Sequence, residues 1–529
     1  MERGAMTPAE RRIFIALTIA VAATRFLAIA RSPWDWDELL FALGMRHYDV
    51  AAHHPHPPGF PLFIAAAHLV GSLQVVVVIA SLAIFPAMFF LCRALEMPFR
   101  TSVIASLLLA FFPNVWLYGG TSLSDVPAMV LSVVAAALLL RGRGMIALAI
   151  AVGFRPQTLL VGIAPALRGK AYRRILGVLV ALAIVAISYG VAIKITGAQR
   201  YFRALNEHQQ YITATDSFRS PTRPPLWKLA DDFFVRPYRQ PLLNIAIGIL
   251  ALFGLWQSYR RFGALAIFLP FALFAWLFLD HNSASRFSIG YMPLIAILAA
   301  EGMPRKLDTW ITAAILAFTT IWMWPALKTV RTTIAPPIAA MHAVPPGATL
   351  YVHKELMPFA DYMLPNARKI EIDAPGIPTP YTEQRDAVFI TEGVLNGGTT
   401  FSRPRNALWN IARRRYFDVT VLPLRTRVVY GEGWGAWEGD ARWMSSTRAV
   451  AQLPNIGGDA RMFISLYIPR STSVTIKLNG IVLETTRTSG PYLDRTFHVP
   501  SRENNELVIE AEIPLRLERL EWTSIPVSS

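Results

Sequence analysis

Charged side chains are scarce in this sequence. Only 16% of its 529 residues are Asp, Glu, Lys or Arg, whereas 53% are hydrophobic. A water-soluble protein of this length needs a larger charged share to cover its surface. The composition therefore excludes an ordinary soluble enzyme and predicts a multi-pass membrane protein.

Cysteine and acidic residues are also few. The single cysteine, Cys92, excludes an intrachain disulfide, so we expect any exported domain to be stabilised by its core alone. The 51 Lys and Arg residues outnumber the 35 Asp and Glu residues, which gives a formal charge of +16. No basic stripe with interleaved aromatic residues accompanies this excess, so we expect no nucleic-acid partner.

Long hydrophobic runs recur through the first 325 positions at the length that spans a bilayer core. We predict 11 membrane spans, and the segment 59–71, which prolines precede, is predicted to lie at the membrane surface. The predicted spans are 13–30, 74–92, 102–118, 122–140, 144–154, 156–168, 175–195, 241–258, 262–280, 286–300 and 308–326.

The distribution of basic residues predicts the orientation. If the N-terminus is cytoplasmic, every inner loop is basic, as the positive-inside rule requires. Residues 31–58 and the C-terminal third then lie on the extracytoplasmic face of a plasma (inner) membrane. That side has no nucleotide sugars, so a group transfer there needs a donor that crosses the membrane itself, such as a sugar on a lipid phosphate.

The predicted outer loop after the first span carries acidic residues and histidines. "WDWDELL" contains Asp35, Asp37 and Glu38, which are either a general base with its neighbours or solvated loop acids. "HHPHPPGF" contains His54 and His56, for which three alternatives remain: binding a metal, positioning a phosphate, or capping a proline-rich loop.

Other ionisable residues stand at the predicted outer ends of spans. Asp125 begins the fourth span, Arg155 lies at a break between two short spans, and His281 and Arg286 lie at another outer boundary. Guanidinium groups stay charged and fork onto phosphate oxygens, so the two arginines are suited to holding a phosphate. The alternative is that they snorkel to the interface.

Three stretches together resemble the GT-C glycosyltransferases, in particular the polyprenyl-phosphate-dependent branch that includes protein O-mannosyltransferases and aminoarabinose transferases. "WDWDELLFALGMRHYD…HPHPPGFPLF", with Asp37-Glu38, Tyr48 and His56-Pro57-Pro58, resembles the family's first exported loop. "FPNVWLYGGTSLSDVPA" resembles the second exported loop, and "RFSIGYMPLIAILAAEG" resembles a late Arg-Tyr helix, with Phe287 in place of the tyrosine.

The resemblance implies an inverting transfer of one sugar from a polyprenyl-phosphate carrier to a hydroxyl of a glycan, lipid or protein. It implies that Asp37 is the general base and that Glu38 and Asp125 support the site. The donor phosphate would be held by Arg286, Arg155 and His56. Contacts to acceptor or sugar are predicted for Asp35, His54, Tyr48 and His281. Some relatives use a divalent metal and others do not, so a metal cofactor stays an open alternative.

The composition changes after the last predicted span. Residues 331–427 are predicted to form a linker and a small α/β segment, and residues 428–529 a β-sandwich, with a hairpin at Asn479-Gly480. Trp434, Trp437 and Trp443 either stack on sugars or fill the core. The GT-C-like membrane domain would comprise residues 1–330.

Two other functions compete with the single-sugar transferase. A glycan ligase would use a lipid-diphosphate donor. A transporter or flippase for lipid-linked glycans would show internal repeats and ionisable residues at mid-membrane. The acidic residues of this chain cluster at the outer ends of spans, which favours the transferase.

Overall fold

The computed structural model describes residues 6–221, 223–257, 261–373, 387–395, 397–412, 416–424, 428–438, 441–456 and 458–524. The chain divides into two compact units. The helical unit comprises Met1–Ala335 and Arg403–Phe417, and the β unit comprises Pro336–Ser402 and Asp418–Ser529. The segment 403–417, which the sequence analysis places in the α/β segment, thus belongs to the helical unit.

Helices form the framework of the helical unit, with short 3₁₀ or π turns between them. The α-helices are α1 Pro8–Arg25, α2 Trp36–Arg46, α3 Pro61–Val70, α4 Leu73–Leu82, α5 Ile84–Ala94, α6 Phe99–Phe111, α7 Pro113–Tyr118, α8 Asp125–Leu140, α9 Met145–Phe154, α10 Leu159–Arg168, α11 Ile175–Thr196, α12 Ala198–Tyr211, α13 Leu226–Ala230, α14 Pro241–Gln257, α15 Arg261–Phe278, α16 Ala284–Phe287, α17 Met292–Gly302, α18 Asp308–Thr332 and the short helix Ala407–Ile411. The turns are Phe26–Ala28, Val50–Ala52, Pro156–Thr158, Ala171–Arg173, Ile212–Asp216, Asp231–Val235, His281–Ser283 and Ser288–Tyr291.

Within the described residues, three helical stretches are long and apolar enough to cross a membrane: Ile175–Thr196, His281–Gly302 and Asp308–His342. Helices α3 and α4 together form a fourth candidate, although they are bent by 96° at a short break. Gly71 ends α3 in a left-handed conformation that glycine adopts without strain. The predicted span 74–92 is divided between α4 and α5, and several other predicted spans are shorter apolar helices. The number of 11 spans stays a prediction.

The first part of the β unit is a small α/β arrangement that extends from Pro336 to Pro423 without the segment 403–417. Its five-stranded sheet has the order β2-β1-β3-β5-β4, in which β1 pairs in parallel with β2 and β3. Helices α19 and α20 belong to this unit. The elements are α19 Pro336–His342, β1 Thr349–His353, α20 Met357–Met363, β2 Lys369–Ile372, β3 Ala387–Glu392, β4 Thr399–Ser402 and β5 Asp418–Pro423, with a 3₁₀ turn at Lys354–Leu356.

Two five-stranded sheets follow, with the orders β13-β10-β15-β8-β7 and β12-β11-β14-β9-β6. Buried residues of both sheets, such as Ile464 and Ile476, share one hydrophobic core. The strands are β6 Val429–Tyr430, β7 Trp434–Glu438, β8 Ala441–Met444, β9 Arg448–Leu453, β10 Asp459–Tyr467, β11 Thr472–Leu478, β12 Ile481–Thr488, β13 Tyr492–Pro500, β14 Asn505–Ala511 and β15 Arg516–Ser524.

Two details of this double sheet bear on the sequence analysis. Asn479 and Gly480 both have positive φ and join β11 to β12, so the predicted hairpin is present. Trp434 is buried in the shared core, whereas Trp443 is half-buried. The side chain of Trp437 lies outside the described residues. At least one tryptophan of this segment therefore fills the core.

Candidate active site

The start of helix α2 fixes the acidic loop. Asp35 is the N-cap, and its Oδ1 accepts a hydrogen bond from the Asp37 amide at 3.0 Å. Glu38 completes a capping box, because its Oε1 accepts from the amides of Trp34 at 3.1 Å and Asp35 at 3.2 Å. Its Oε2 accepts from the amide of Ser122 at 2.8 Å, just before α8. Glu38 therefore joins the start of α2 to the second predicted exported loop and orients its neighbour Asp37.

A network of ion pairs forms beside this helix start. Arg286 donates from Nε to Asp125 Oδ2 at 2.9 Å, and its Nη1 lies 2.6 Å from Asp37 Oδ2 and 3.4 Å from Asp35 Oδ1. Arg155 donates from Nη1 to Asp125 Oδ1 at 2.5 Å. Five residues predicted as site residues therefore meet, although they come from four separate segments of the chain.

The network has a buried floor and an accessible edge. The side chains of Asp125 and Arg286 are each 5% exposed, whereas those of Asp35 and Asp37 are each 23% exposed. Buried charges are costly unless they are paired, and here each buried arginine is paired with a carboxylate. Asp37 and Asp35 both reach the surface and contact the buried Arg286, and Asp37 makes the shorter contact, at 2.6 Å against 3.4 Å.

Phe287 lies beside both arginines of the network. Its ring centroid is 5.6 Å from the guanidinium carbon of Arg155 and 5.3 Å from that of Arg286, within the range of cation–π attraction. Phe287 stands where the resembled family has a tyrosine. In this chain the residue contacts the two guanidinium groups through its apolar ring and supplies no hydroxyl.

A small pocket adjoins the network. Asp125 and Arg155 form its charged wall, and the rest of its lining is mainly apolar, including Val161, Phe271 and Phe287.

The proline-rich loop is held in place by two tyrosines. Tyr48 donates its hydroxyl to the carbonyl of Gly59 at 2.9 Å, and Tyr201 of α12 donates to the carbonyl of Pro58 at 2.9 Å. A Cβ atom at Gly59 would lie 2.4 Å from the Tyr48 hydroxyl oxygen, and the φ of +103° also favours glycine. The loop places His56 Nδ1 3.7 Å from Asp37 Oδ1.

The remaining predicted residues lie in segments that flank the network. The backbone of His54 exchanges two hydrogen bonds with that of Asp49, at 2.7 and 2.9 Å. His281 lies in the turn before α16, with Nδ1 3.9 Å from Asp280 Oδ1. Neither histidine belongs to the ion pairs described above, so contacts to acceptor or sugar stay predictions for both.

Two residues near the network were not predicted. Asn114 is fully buried, and its Nδ2 donates to the Ser285 carbonyl at 2.8 Å and to Ser288 Oγ at 2.9 Å, on either side of Arg286. An amide within the apolar run "FPNVW" is the signal that could have identified it. His208 of α12 lies with its ring 5.9 Å from that of His56.

Burial and neighbouring charges shift the pKa values of Asp37 and His56 in opposite directions. Burial raises the pKa of Asp37, but the nearby positive charge of Arg286 more than compensates and holds that pKa well below its usual range. Burial lowers the pKa of His56 to about 4, although Asp37 opposes this shift. At neutral pH we therefore expect Asp37 to be ionised and His56 to be neutral.

Glu38 is expected to make stability depend on pH, because its burial raises its pKa to about 7. The folded protein then binds this proton more tightly than the unfolded chain does. The resulting contribution to the free energy of unfolding, about 3 kcal/mol, is full below pH 4.5 and is lost as the pH rises to about 7. Thermal unfolding in detergent between pH 4.5 and 8 checks this prediction.

The matched variant is Glu38→Gln, which cannot ionise. We expect its unfolding temperature to vary less with pH than that of the wild type. Its overall stability should be lower, since one amide nitrogen would face a backbone donor. An equal pH dependence in the two proteins would contradict the prediction.

In the described part of the chain, no three His, Cys, Asp or Glu side chains are grouped closely enough to hold a metal ion. Within the ion-pair network, the positive charges that could neutralise a phosphate are those of Arg155 and Arg286.

Comparison with protein-family models gives no match. Comparison with curated proteins also gives none. Several solved structures resemble the chain at low sequence identity.

The arabinofuranosyltransferase AftD from Mycobacteria is 11% identical, with a TM-score of 0.42 over 99% of this chain and 59% of its own. ArnT from Cupriavidus metallidurans is 11% identical, with a TM-score of 0.47 over 77% of this chain and 97% of its own. The oligosaccharyltransferase AglB from Archaeoglobus fulgidus is 9% identical, with a TM-score of 0.43 over 95% and 97%.

These proteins are GT-C glycosyltransferases. They belong to the superfamily that the sequence motifs resemble. The chain spans about three fifths of the length of AftD. Because each TM-score is below 0.5, we base the functional proposal on the geometry of the ion-pair network.

Proposed function

We propose that this protein is a membrane glycosyltransferase. It transfers a single sugar from a polyprenyl-phosphate carrier to an acceptor hydroxyl on the extracytoplasmic face, with inversion at the anomeric carbon. The observation that carries this proposal is the position of Asp37. It is a half-buried carboxylate, 2.6 Å from an arginine that also contacts the buried Asp125 and, at 3.4 Å, Asp35.

Phosphate binding is assigned to Arg286 and Arg155. The network contains three carboxylates and two guanidinium groups, so its formal charge is −1 when all are ionised. An anionic donor would be repelled unless it replaced a carboxylate as the partner of an arginine. This exchange is possible at the exposed edge. The phosphate would replace Asp37 as the partner of Arg286 Nη1, while Asp125 stays bonded to Nε.

This exchange would also activate the base. Arg286 is the group that holds the pKa of Asp37 low, so its transfer to the phosphate would let that pKa rise. A carboxylate with a higher pKa accepts a proton more readily. Donor binding would therefore prepare Asp37 for the acceptor hydroxyl, and an enzyme without donor would keep a weaker base.

The proposed reaction is one displacement. The acceptor oxygen attacks the anomeric carbon while its proton passes to a carboxylate oxygen of Asp37. The bond between that carbon and the phosphate oxygen breaks, and its electron pair stays with the lipid phosphate. Arg286 and Arg155 stabilise the charge that develops there, which is the effect of a preorganised site. The other site residues position these groups.

The experiment is a transfer assay with purified protein in liposomes. Radiolabelled sugars are supplied on polyprenyl monophosphate or on polyprenyl diphosphate, with an envelope extract as acceptor. We expect product from a monophosphate donor only, with an inverted anomeric configuration, and no loss of activity in EDTA. Product from the diphosphate donor alone would favour the ligase. Movement of labelled lipid between leaflets without product would favour the flippase.

The sidedness is checked by cysteine labelling, which the chain permits because its one cysteine, Cys92, is buried. Ala52→Cys lies in the turn just before the proline-rich loop, and Arg141→Cys lies after α8; both native residues are exposed. On intact cells we expect a membrane-impermeant maleimide to label the first variant, and the second only after permeabilisation. The opposite pattern would contradict an extracytoplasmic site, and the wild type is the background control.

A further inference from the structure

Three histidines, His56, His208 and His53, lie one after another beside Asp37, outside the ion-pair network. His56 Nδ1 lies 3.7 Å from Asp37 Oδ1, and the His56 ring lies 5.9 Å from the ring of His208 on α12. The His208 ring in turn lies 6.5 Å from the ring of His53. All four residues belong to the helical unit. The series therefore runs from Asp37 through His56 and His208 to His53.

Exposure increases along this series. The Nδ1 atom of His56 is buried and has no hydrogen-bond partner in the described part of the chain. His208 is half-buried, and His53 is exposed. A buried nitrogen without a partner is costly, so His56 Nδ1 calls for an explanation beyond packing. Its nearest acidic group is Asp37, which suggests that it serves that carboxylate.

Burial favours the neutral form of each imidazole, whereas the neighbouring carboxylates oppose this effect. His56 is faced by Asp37, Arg286 and Arg155, and His53 is faced by Glu207. Burial lowers the pKa of all three histidines. A neutral imidazole has one nitrogen that accepts a proton and one that donates, so it can pass a proton on. A protonated histidine could not accept one.

We propose that His56, His208 and His53 form a proton relay that returns Asp37 to its ionised form after each transfer. The inference rests on the proposed function, because it begins with the proton that Asp37 takes from the acceptor. It assigns His56 to proton transfer, in place of the contact to the donor phosphate that the family resemblance implies. It also gives α12 a role in turnover through His208.

The steps balance as proton transfers alone. The protonated carboxyl of Asp37 gives its proton to His56 Nδ1, and the O–H bond is replaced by an N–H bond. His56 then releases the proton from Nε2, and His208 takes it through a bridging water. His208 passes a proton to His53 in the same way, and His53 releases it to solvent. The ring centroids lie 5.9 and 6.5 Å apart, so the rings are neighbours, and the relay requires a water that bonds to one nitrogen of each ring in a pair.

The geometry also explains why a relay is useful at this position. Asp37 is held between a buried arginine and a proline-rich loop, so a donor lipid and an acceptor would cover its exposed edge during the reaction. A proton left on Asp37 would weaken its ion pair with Arg286 and block the next cycle. A path along α12 lets the proton leave while both ligands occupy the site.

The experiment measures steady-state transfer by His208→Ala with and without imidazole in the buffer. We expect turnover to fall by about tenfold or more, since a lost proton-transfer group costs at least this much, and addition of imidazole to restore most of it. The solvent deuterium isotope effect on turnover should increase in the variant. His208→Gln should show the same loss, because its amide does not carry protons. His68→Ala is the matched control, since His68 is exposed on α3.

Two outcomes would overturn the relay. One is unchanged turnover in His208→Ala. The other is a loss that imidazole does not restore, because that would indicate a structural role. Asp37→Asn, assayed in parallel, separates the relay from the proposed function. If only the relay is wrong, Asp37→Asn is inactive and His208→Ala is not. If the proposed function is wrong, either the wild type forms no product from the monophosphate donor or Asp37→Asn keeps its activity.

Discussion

Asp37→Asn is expected to lower the rate of sugar transfer by about 10²- to 10⁴-fold, which is the usual contribution of a general base. The asparagine keeps the size of the carboxylate and can still accept a hydrogen bond from Arg286, so the helical unit should fold and insert. It cannot take the acceptor proton. Initial rates with a saturating polyprenyl-phosphate sugar, measured on protein purified in equal yield, check the prediction.

Two further variants show whether the effect belongs to Asp37. Asp35→Asn should keep its rate within about tenfold of the wild type, because asparagine caps a helix about as well as aspartate. Asp494→Asn replaces an exposed aspartate on β13 and should leave the rate unchanged. A larger loss at Asp35 than at Asp37 would move the role of base to Asp35.

Arg286→Lys is expected to lower the rate by about 10²-fold or more and to reduce thermal stability. Arg286 contacts Asp125 through Nε and Asp37 through Nη1, and a single ammonium cannot reproduce that fork. Breaking a buried ion pair by removing one partner costs about 3–5 kcal/mol. The lysine keeps the charge, so we expect part of this loss. Rates and unfolding temperatures in the same detergent check both effects.

The matched control is Arg236→Lys, because Arg236 is paired with Asp231 at an exposed position. An exposed pair contributes little, so its rate and stability should match the wild type. A wild-type rate in Arg286→Lys would show that the fork is not required for donor binding. Equal losses in both variants would indicate a general effect of replacing arginine by lysine.

The residues that meet in the network could be predicted from the sequence, but their pairing could not. Asp125, Arg155 and Arg286 are predicted because ionisable residues at span ends are costly. The role of Asp37 is predicted from the resemblance to the GT-C glycosyltransferases. The sequence does not show that Arg286 contacts Asp37, which is far away along the chain. That contact depends on how α2 and α16 pack, which no local pattern encodes.

Local patterns were a reliable guide only where the structure is local. Short-range chemistry explains two such features, the capping box of Asp35 and Glu38 and the Asn479-Gly480 hairpin. Of these, only the hairpin is predicted above. The predicted span 74–92 is apolar throughout, yet it is two helices. Hydropathy reports the length of an apolar run and does not report where its backbone bends.

His208 could not be selected from the sequence for a related reason. It is one of several basic and aromatic residues in the polar segment 196–240, and its relation to His56 depends on how α12 packs against the proline-rich loop. Tyr201, which donates to Pro58 in that loop, lies on the same helix. Together these residues make α12 part of the site.

The central claim is that Asp37 lets a sugar leave a lipid monophosphate for an acceptor hydroxyl. The most direct measurement mixes excess enzyme with a radiolabelled polyprenyl-monophosphate sugar and acceptor, and counts both products of a single turnover. We predict one molecule of free polyprenyl phosphate for each sugar transferred by the wild type, and neither product from Asp37→Asn on the same time scale. Equal formation of both products by Asp37→Asn would contradict the claim.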